Sequence, residues 1–447
     1  MPFDFSSRRF IPVTFAVALA LRVGWVVWMW SAGAVPASDA GWYHARALEM
    51  VAGAGYAIDG VPTAYWPVGY PAFLALLYMF FENSPLAGMI ANAALYLGAM
   101  AAACAIARRL FSSETVARLT LLAMALWPNQ IAYTGLLLSE PLFLFLMLSA
   151  VALLLAERRK LAATIGAGLL FGCAALVKPQ ALFLPFICGV AMLVALRDRK
   201  QAWKLMGRLA LVHALMIMAV YPWMLRNQSL GAGAGTISTN DGVNLLIGNN
   251  PWATGRYMAL NDSASWGWSD RCGPPPYGVD DLGRKGVAGE QIRNYHARDL
   301  ALEYVYNNPL ETLGRVPLKF WYLYRADTEG ISHNVTGLPA GASGTARILG
   351  ILKIVAEIFY LAAIAAFLGY WIGRVRGGDG IRPAGAMGIW IIGYFTIIPI
   401  IFFGDGRFHF PAIPWIAMYG AAFIASLPVF RGRPGMAGER LQALQHT

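Results

Sequence analysis

Long, continuously apolar stretches alternate along this chain with short polar segments. Runs such as 139–156 and 384–403 contain about 20 residues and almost no charge, which is enough to cross a hydrocarbon core about 30 Å thick. The apolar residues are continuous and do not alternate with period two, so the runs predict helices rather than barrel strands. The pattern therefore predicts an all-α polytopic membrane protein.

The hydropathy pattern predicts about ten spans with both ends of the chain in the cytoplasm. They lie at about 10–31, 84–109, 115–135, 139–157, 161–178, 180–197, 205–225, 346–373, 384–403 and 409–430. Residues 1–225 form an N-terminal membrane module, 226–345 a polar non-cytoplasmic segment, and 346–447 the last three spans with a basic tail. A first non-cytoplasmic loop at 32–83 is predicted to hold juxtamembrane helices at 43–52 and 71–81. One clear helix, at 283–307, is predicted in the long polar segment.

Charge supports this topology. The chain carries a net charge of +11, and its cations gather in short clusters between apolar runs: Arg8-Arg9, Arg108-Arg109, Arg158-Arg159-Lys160, Arg197 with Arg199 and Lys200, Arg374 with Arg376, and Arg431 with Arg433. Cytoplasmic loops of membrane proteins are enriched in Lys and Arg in this way. The positive charge thus follows the topology, which argues against nucleic acid as a partner.

Five charged residues fall together on the outer side of this topology: Asp39, Glu140, Lys178, Arg226 and Arg407. Each has an ordinary structural interpretation. A carboxylate can cap or open a helix, and a single Lys or Arg at the end of a span usually extends into the lipid headgroups. However, the three cations, Lys178, Arg226 and Arg407, oppose the positive-inside trend. Three such exceptions on one face would form a positively charged site that could bind a phosphate group.

Two further groups of polar residues lie near the same face. His44 and His409 would need a carboxylate close by to hold a metal, which spacing does not establish, so a divalent metal is left open and no cofactor is required. The amide-rich stretch with Asn240, Asn249 and Asn250 suits either tight turns or a loop that binds sugar hydroxyls.

The ordered motifs of the chain resemble a known family. They are Asp39 with Tyr43 after the first span, Pro67-Val68-Gly69-Tyr70-Pro71, Leu138-Ser139-Glu140-Pro141, Val177-Lys178-Pro179, Pro222-Trp223 with Arg226-Asn227, Gly248-Asn249-Asn250-Pro251, and Arg407-Phe408 with Pro411 and Pro414. This set is similar to the bacterial GT-C glycosyltransferases of the protein-mannosyltransferase and aminoarabinose-transferase superfamily. Two positions differ: Ala40 stands where many relatives have a second acid, and Trp66 where the aminoarabinose enzymes have a lysine.

The resemblance implies a GT-C helical bundle that transfers a sugar from a polyprenyl-phosphate donor with inversion. The family's acidic residue in the first loop corresponds to Asp39, which would act as general base. Glu140, Tyr43 and His44 would orient the acceptor or a cation, and Lys178, Arg226 and Arg407 would bind the donor phosphate. Asn240, Asn249 and Asn250 would contact the sugar.

The expected location is the bacterial inner membrane, with the active site facing the periplasm. The acceptor, which could be a lipid, a polysaccharide or a protein, stays open. The alternative function is a transporter or flippase of a lipid-linked sugar. Transporters often consist of two structurally similar halves, whereas no internal repeat is seen in this sequence.

Overall fold

The computed structural model describes residues 7–156, 160–196, 198–258, 285–377 and 383–428. Within these ranges the chain is almost entirely helical. The N-terminal module contains ten α-helices: α1 (Phe10–Ser31), α2 (Asp39–Val51), α3 (Gly69–Tyr78), α4 (Pro85–Phe111), α5 (Glu114–Leu126), α6 (Pro128–Tyr133), α7 (Glu140–Leu154), α8 (Lys160–Val177), α9 (Leu184–Val194) and α10 (Arg199–Ser229).

The rest of the described chain adds eight α-helices: α11 (Asp241–Gly248), α12 (Gly286–Asn307), α13 (Pro309–Gly314), α14 (Val316–Tyr324), α15 (Glu329–Thr336), α16 (Ser343–Arg376), α17 (Met387–Ile401) and α18 (Ile413–Ser426). Short 3-10 turns precede α9, α17 and α18, at Pro179–Phe183, Pro383–Ala386 and Gly406–Ala412. The predicted all-α membrane fold is confirmed. The described part of the long polar segment, however, holds four short helices besides the one that was predicted.

Six helices of the described chain are long and apolar enough to cross a membrane: α1, α4, α8, α10, α16 and the last helix together with its 3-10 turn. Four segments predicted as spans form shorter helices. Among them α7 and α17 have 15 residues each, or about 22 Å at 1.5 Å per residue. The protein is therefore a polytopic membrane protein, and the count of ten spans stays a prediction.

The predicted span at 115–135 is divided into two helices, and its sequence explains why. Trp127 has an extended backbone, and Pro128 opens the next helix, because the residue before a proline is disfavoured in the helical region. The carbonyls of Met124 and Ala125 at the end of α5 accept hydrogen bonds of 3.0 Å from Arg22 in α1. The two terminal nitrogens of a fully buried arginine inside a span thus donate to helix-end carbonyls.

Close helix packing holds the N-terminal module together. Gly168 and Gly172 of α8 face α10 so closely that an added Cβ would lie 2.7 Å from the Cβ of Leu215 or 2.6 Å from the Cβ of Ala219. Small residues four positions apart allow membrane helices to approach in this way. Because the packing is tight, the outer ends of α7, α8 and α10 are held at fixed positions relative to one another.

The first loop and the long polar segment contact each other directly. A two-residue antiparallel hairpin, β1 (Ala57–Ile58) with β2 (Val61–Pro62), lies in the first loop. Immediately after it, the Thr63 hydroxyl donates to Glu290 of α12 at 2.5 Å, and the Ala64 amide donates to the same carboxylate at 2.9 Å. Thr239 also donates to Glu290, at 3.0 Å. The two loops therefore lie on the same side of the membrane.

Candidate active site

Asp39 is the first residue of α2 and does not act as its cap. The preceding residue, Ser38, occupies the N-cap position with a φ of 53°, a left-handed conformation that is strained for a residue with a side chain. Such strain persists only where the surrounding structure imposes it, and it clusters at functional sites. The helix start directs the Asp39 carboxylate to Arg407, with which it forms an ion pair.

Arg407 connects two carboxylates that are far apart in the sequence. Its Nη1 donates to Asp39, and its Nε donates to Oε1 of Glu140 at 2.6 Å. Arg407 is held in the turn before α18, where its backbone amide donates to the Asp405 carboxylate at 2.8 Å. The Nζ of Lys178 reaches the same Glu140 oxygen at 3.1 Å. Four of the five charged residues selected from the sequence therefore form one cluster.

The two carboxylates of this cluster differ in exposure. The Glu140 side chain is 1% exposed and that of Asp39 is 26% exposed. Glu140 Oε2 is buried and has no hydrogen-bond partner within the described part of the chain. Asp39 is therefore the more accessible carboxylate of the cluster. Glu140 is buried and binds both cations, Lys178 and Arg407.

Tyr43 and His44 follow Asp39 on α2 but have different surroundings. Burial, together with the negative charges of Glu140 and Asp39, raises the pKa of Tyr43 against the opposing charge of Arg407, so the phenol stays protonated beside the cluster. His44 Nδ1 lies 2.7 Å from the Tyr78 hydroxyl, and burial lowers the pKa of this histidine. The structure brings Tyr43 to the charged cluster, whereas His44 pairs with α3.

Arg226 does not join the charged cluster through any contact of the described residues. Its Nη1 donates to the carbonyl of Thr63 at 2.7 Å and its Nη2 donates to the carbonyl of Tyr56 at 2.9 Å. The guanidinium carbon also lies 4.6 Å from the ring centroid of Trp223. Arg226 therefore fastens the end of α10 to the hairpin of the first loop.

The side chains of the three asparagines selected as sugar contacts form hydrogen bonds within the protein, and Asn249 also bonds to Ile401 and Lys319. Asn249 and Asn250 are buried, and their side-chain amides donate to the carbonyls of Leu245 and Leu246 at 2.8 Å. The side-chain Oδ1 of Asn240 accepts from the Ser238 hydroxyl at 3.2 Å, at the start of α11. These contacts favour the turn-forming interpretation over direct sugar binding.

A second buried pair, between a histidine and a carboxylate, was not anticipated from the sequence. His409 lies between the rings of Tyr324 and Tyr360, and its Nε2 is 3.2 Å from the Asp327 carboxylate. Asp327 also accepts from Trp127 Nε1 at 2.5 Å. Its sequence context, Arg-Ala-Asp-Thr in a polar loop, has no feature that predicts burial. Among the described residues, no group of three or more His, Cys, Asp and Glu side chains could hold a metal ion.

Comparison with known proteins identifies the architecture. Residues 66–225, about a third of the chain, match the family model of dolichyl-phosphate-mannose-protein mannosyltransferases. The structure of the oligosaccharyltransferase AglB from Archaeoglobus fulgidus, in complex with an inhibitory peptide and dolichol-phosphate, superposes with a TM-score of 0.54 at 14% identity. This chain has the GT-C fold. The expected resemblance to that superfamily is confirmed.

The superposition with AglB covers 93% of this chain and 50% of the oligosaccharyltransferase. An oligosaccharyltransferase from Archaeoglobus fulgidus tethered to an acceptor peptide superposes with a TM-score of 0.50 at 12% identity, covering 98% of this chain and 53% of that one. ArnT from Cupriavidus metallidurans bound to undecaprenyl phosphate gives a TM-score of 0.42 at 16% identity, with 94% and 78% covered. No curated protein sequence matches the chain. This GT-C chain thus spans about half the length of the oligosaccharyltransferases.

Proposed function

We propose that this protein is an inverting glycosyltransferase that takes its sugar from a polyprenyl-phosphate donor at the periplasmic face of the bacterial inner membrane. The observation that carries the proposal is the cluster of Asp39, Glu140, Lys178 and Arg407, which combines one accessible carboxylate with two cations on the side of the loops. The family match and the fold support it, because AglB of the same fold binds dolichol-phosphate.

The proposed reaction is a single displacement at the anomeric carbon. Asp39 accepts the proton of the acceptor hydroxyl, whose oxygen forms a bond to the anomeric carbon. The bond from that carbon to the phosphate oxygen breaks, and the polyprenyl phosphate leaves with the electron pair. Because this leaving group is already a stabilised anion, the reaction requires no general acid.

The four residues have separate roles in this proposal. Arg407 and Lys178 stabilise the charge that develops on the leaving phosphate, as preorganised cations in a site with little water do. Glu140 holds both cations, because it accepts from each through the same oxygen. The first loop and the long polar segment are joined through Glu290, and in this proposal they exclude water as a competing acceptor.

The decisive experiment incubates the purified protein with synthetic polyprenyl-phosphate sugars and a membrane extract as the source of acceptors. Mass spectrometry would detect released polyprenyl phosphate and a glycosylated product. Asp39→Asn is the negative control, and Glu114→Gln, at an exposed ion pair away from the site, is the positive control. Movement of intact donor across the membrane, without cleavage by the wild type, would support the transporter instead.

A further inference from the structure

A buried histidine lies in the same turn as Arg407, and the proposed mechanism does not use it. His409 follows Arg407 by two residues within the 3-10 turn Gly406–Ala412, and its side chain is 0% exposed. The rings of Tyr324 in α14 and Tyr360 in α16 stack on it, with centroids 5.7 and 5.4 Å away and planes tilted by 18° and 15°. Both distances are within the range at which an aromatic face attracts a cation.

The hydrogen bonds of His409 determine which of its ring nitrogens carry protons. Nδ1 lies 2.5 Å from the carbonyl oxygen of Leu323, and Nε2 lies 3.2 Å from Oδ1 of Asp327. A carbonyl can only accept, so Nδ1 carries a proton. Both oxygens of Asp327 accept from N–H groups of other residues, as those of an ionised carboxylate do, so Nε2 donates to Asp327 as well. The contacts therefore match an imidazolium paired with a carboxylate.

Asp327 connects this pair to a different part of the molecule. Its Oδ2 accepts from Trp127 Nε1 at 2.5 Å, and its Oδ1 accepts from the side-chain amide of Asn129. The Oδ1 of Asn129 accepts from the backbone amide of Gly330 at 2.8 Å, which directs the Asn129 amide nitrogen to Asp327. A Cβ on Gly330 would lie 2.8 Å from the carbonyl oxygen of Asn129, so this approach of α15 to α6 requires glycine. The turn is thus bound to the junction of α5 and α6.

The same turn places Arg407 in the charged cluster. Arg407 donates to Asp39 and Glu140, and its backbone amide donates to the Asp405 carboxylate. These bonds hold the beginning of the turn, whereas the contacts of His409 hold its middle. Two residues of a 3-10 helix span only about 4 Å along its axis, so a displacement of His409 would also displace Arg407. An error of about 1 Å in the position of a catalytic group can reduce a rate about 100-fold.

We propose that Asp327 and His409 are positioning residues for Arg407. As a buried ion pair they hold the 3-10 turn against the α5–α6 junction, and the turn holds Arg407 where it contacts Asp39. Removal of either member leaves the other without its partner in a buried place and loosens the turn. The effect on the rate rests on the proposed function, whereas the effect on the contact between Arg407 and Asp39 rests on the geometry.

The test compares His409→Gln and Asp327→Asn with Thr164→Val in the full-length protein in nanodiscs. Thr164 is a matched control, because it is also buried, at 2% exposure, and its hydroxyl accepts from Arg208 Nε at 2.7 Å. It lies near the start of α8, at the opposite end of this helix from Lys178. The first measurement is the initial rate of polyprenyl phosphate release, at a temperature at which melts show all variants to be folded.

For the rates, we expect a loss of about 100-fold in His409→Gln and in Asp327→Asn, and of about twofold or less in Thr164→Val. The double variant of Asp327 and His409 should lose about as much as either single variant, because residues that act as a unit are not additive. Two changes that destabilised the fold independently would instead give losses that multiply.

The second measurement does not depend on turnover. The change of Tm caused by Asp39→Asn reports the contact of Asp39 with Arg407, and it is determined in the wild type, in His409→Gln and in Thr164→Val. We expect this change to fall to about half or less in the His409→Gln background and to stay the same in the Thr164→Val background, because only the first residue acts on the contact. Asp327→Asn takes the place of His409→Gln in these melts if the latter does not fold.

An Asp39→Asn change of Tm that is the same in the wild type and in His409→Gln would overturn the proposal. Rates of His409→Gln and Asp327→Asn that match the rate of Thr164→Val would also overturn it. A wild type that releases no polyprenyl phosphate would remove the proposed function, and a reduced Asp39→Asn change in His409→Gln would still support the positioning of Arg407.

Discussion

Arg407 and Asp39, which are 368 positions apart in the chain, form an ion pair at the site where the first loop meets the last helices. The pair leaves part of the Asp39 carboxylate exposed, at 26% of the side chain. It also orients this carboxylate, because Arg407 is itself held by Glu140 and Asp405. A carboxylate held in this way is suited to accept a proton from a bound hydroxyl.

Replacement of Asp39 by Asn should remove turnover while donor binding is retained. Loss of a positioned base typically reduces the rate by about 10²–10⁴, whereas the amide is close in size to the carboxylate and keeps an oxygen for Arg407. Initial rates of polyprenyl phosphate release, together with native mass spectrometry of donor binding, check this. A variant that turns over at the wild-type rate would show that another group is the base, and Glu140 would be examined next.

Replacement of Glu140 by Gln should destabilise the protein strongly. The change leaves Lys178 and Arg407 without a buried partner, and removal of one member of a buried pair costs about 3–5 kcal/mol. Glu114→Gln serves as the matched control, because Glu114 pairs with Arg108 and Arg118 but its side chain is 44% exposed. Exposed pairs contribute about 0–1 kcal/mol.

Thermal unfolding of the two glutamate variants in detergent should therefore show a much larger loss of Tm for Glu140→Gln than for Glu114→Gln. Equal losses would indicate that the Glu140 cluster contributes no more to stability than a surface pair.

The three cations that the sequence predicted to bind the donor phosphate should separate into two groups, Lys178 with Arg407 and Arg226 alone. Lys178→Gln is expected to weaken donor binding by about 10-fold or more, the loss of one charge-assisted contact. Arg226→Gln should leave donor affinity within about twofold but lower the Tm, because its guanidinium binds the carbonyls of Tyr56 and Thr63. Donor titrations and thermal melts of both variants check this prediction. A large loss of donor affinity in Arg226→Gln would indicate that Arg226 binds the donor phosphate.

Reporter fusions near residues 60 and 300 should both report the periplasm, and fusions near 112 and 200 the cytoplasm. The first pair must agree because Glu290 binds Thr63 and Thr239. The expected orientation of the chain in the membrane follows from the cation clusters at 108–109 and 199–200. Alkaline phosphatase and green fluorescent protein fusions are complementary reporters. A cytoplasmic signal at both 60 and 300 would invert the proposed orientation and leave the site intact.

The protein should become more stable as the pH rises from about 8 to about 10. Burial and the neighbouring Arg315 lower the pKa of Lys319 to about 8, while the unfolded lysine keeps its proton up to a pH of about 10.4. Between these values the unfolded state binds more protons, so the free energy of unfolding rises with pH. In Lys319→Met this slope should flatten, as measured by melts across the range. An unchanged slope would show that other groups cause the rise of the free energy of unfolding with pH.

Much of the fold follows from local sequence patterns. The apolar runs predicted α1, α4, α8 and α16 to within a few residues, because a helix that faces lipid must be apolar along its length. The same patterns did not predict α11 or α13–α15, which have only six to nine residues each, too few to show a clear helical period. Their stability comes from contacts with other parts of the chain, such as the bond between the Gly242 amide and Asn294, at 2.8 Å.

By itself, the sequence predicted that the charged residues share one side of the membrane, since hydropathy and cation clusters alternate along the chain. The tertiary structure alone decided their partners. Lys178 and Arg407 contact Glu140, whereas Arg226 contacts loop carbonyls, although all three are cations at one predicted face. Asp327 gave no sequence signal, because its contacts with Trp127 and His409 are formed by packing of distant segments. Local patterns record polarity and period, and contacts between distant residues depend on how the helices pack.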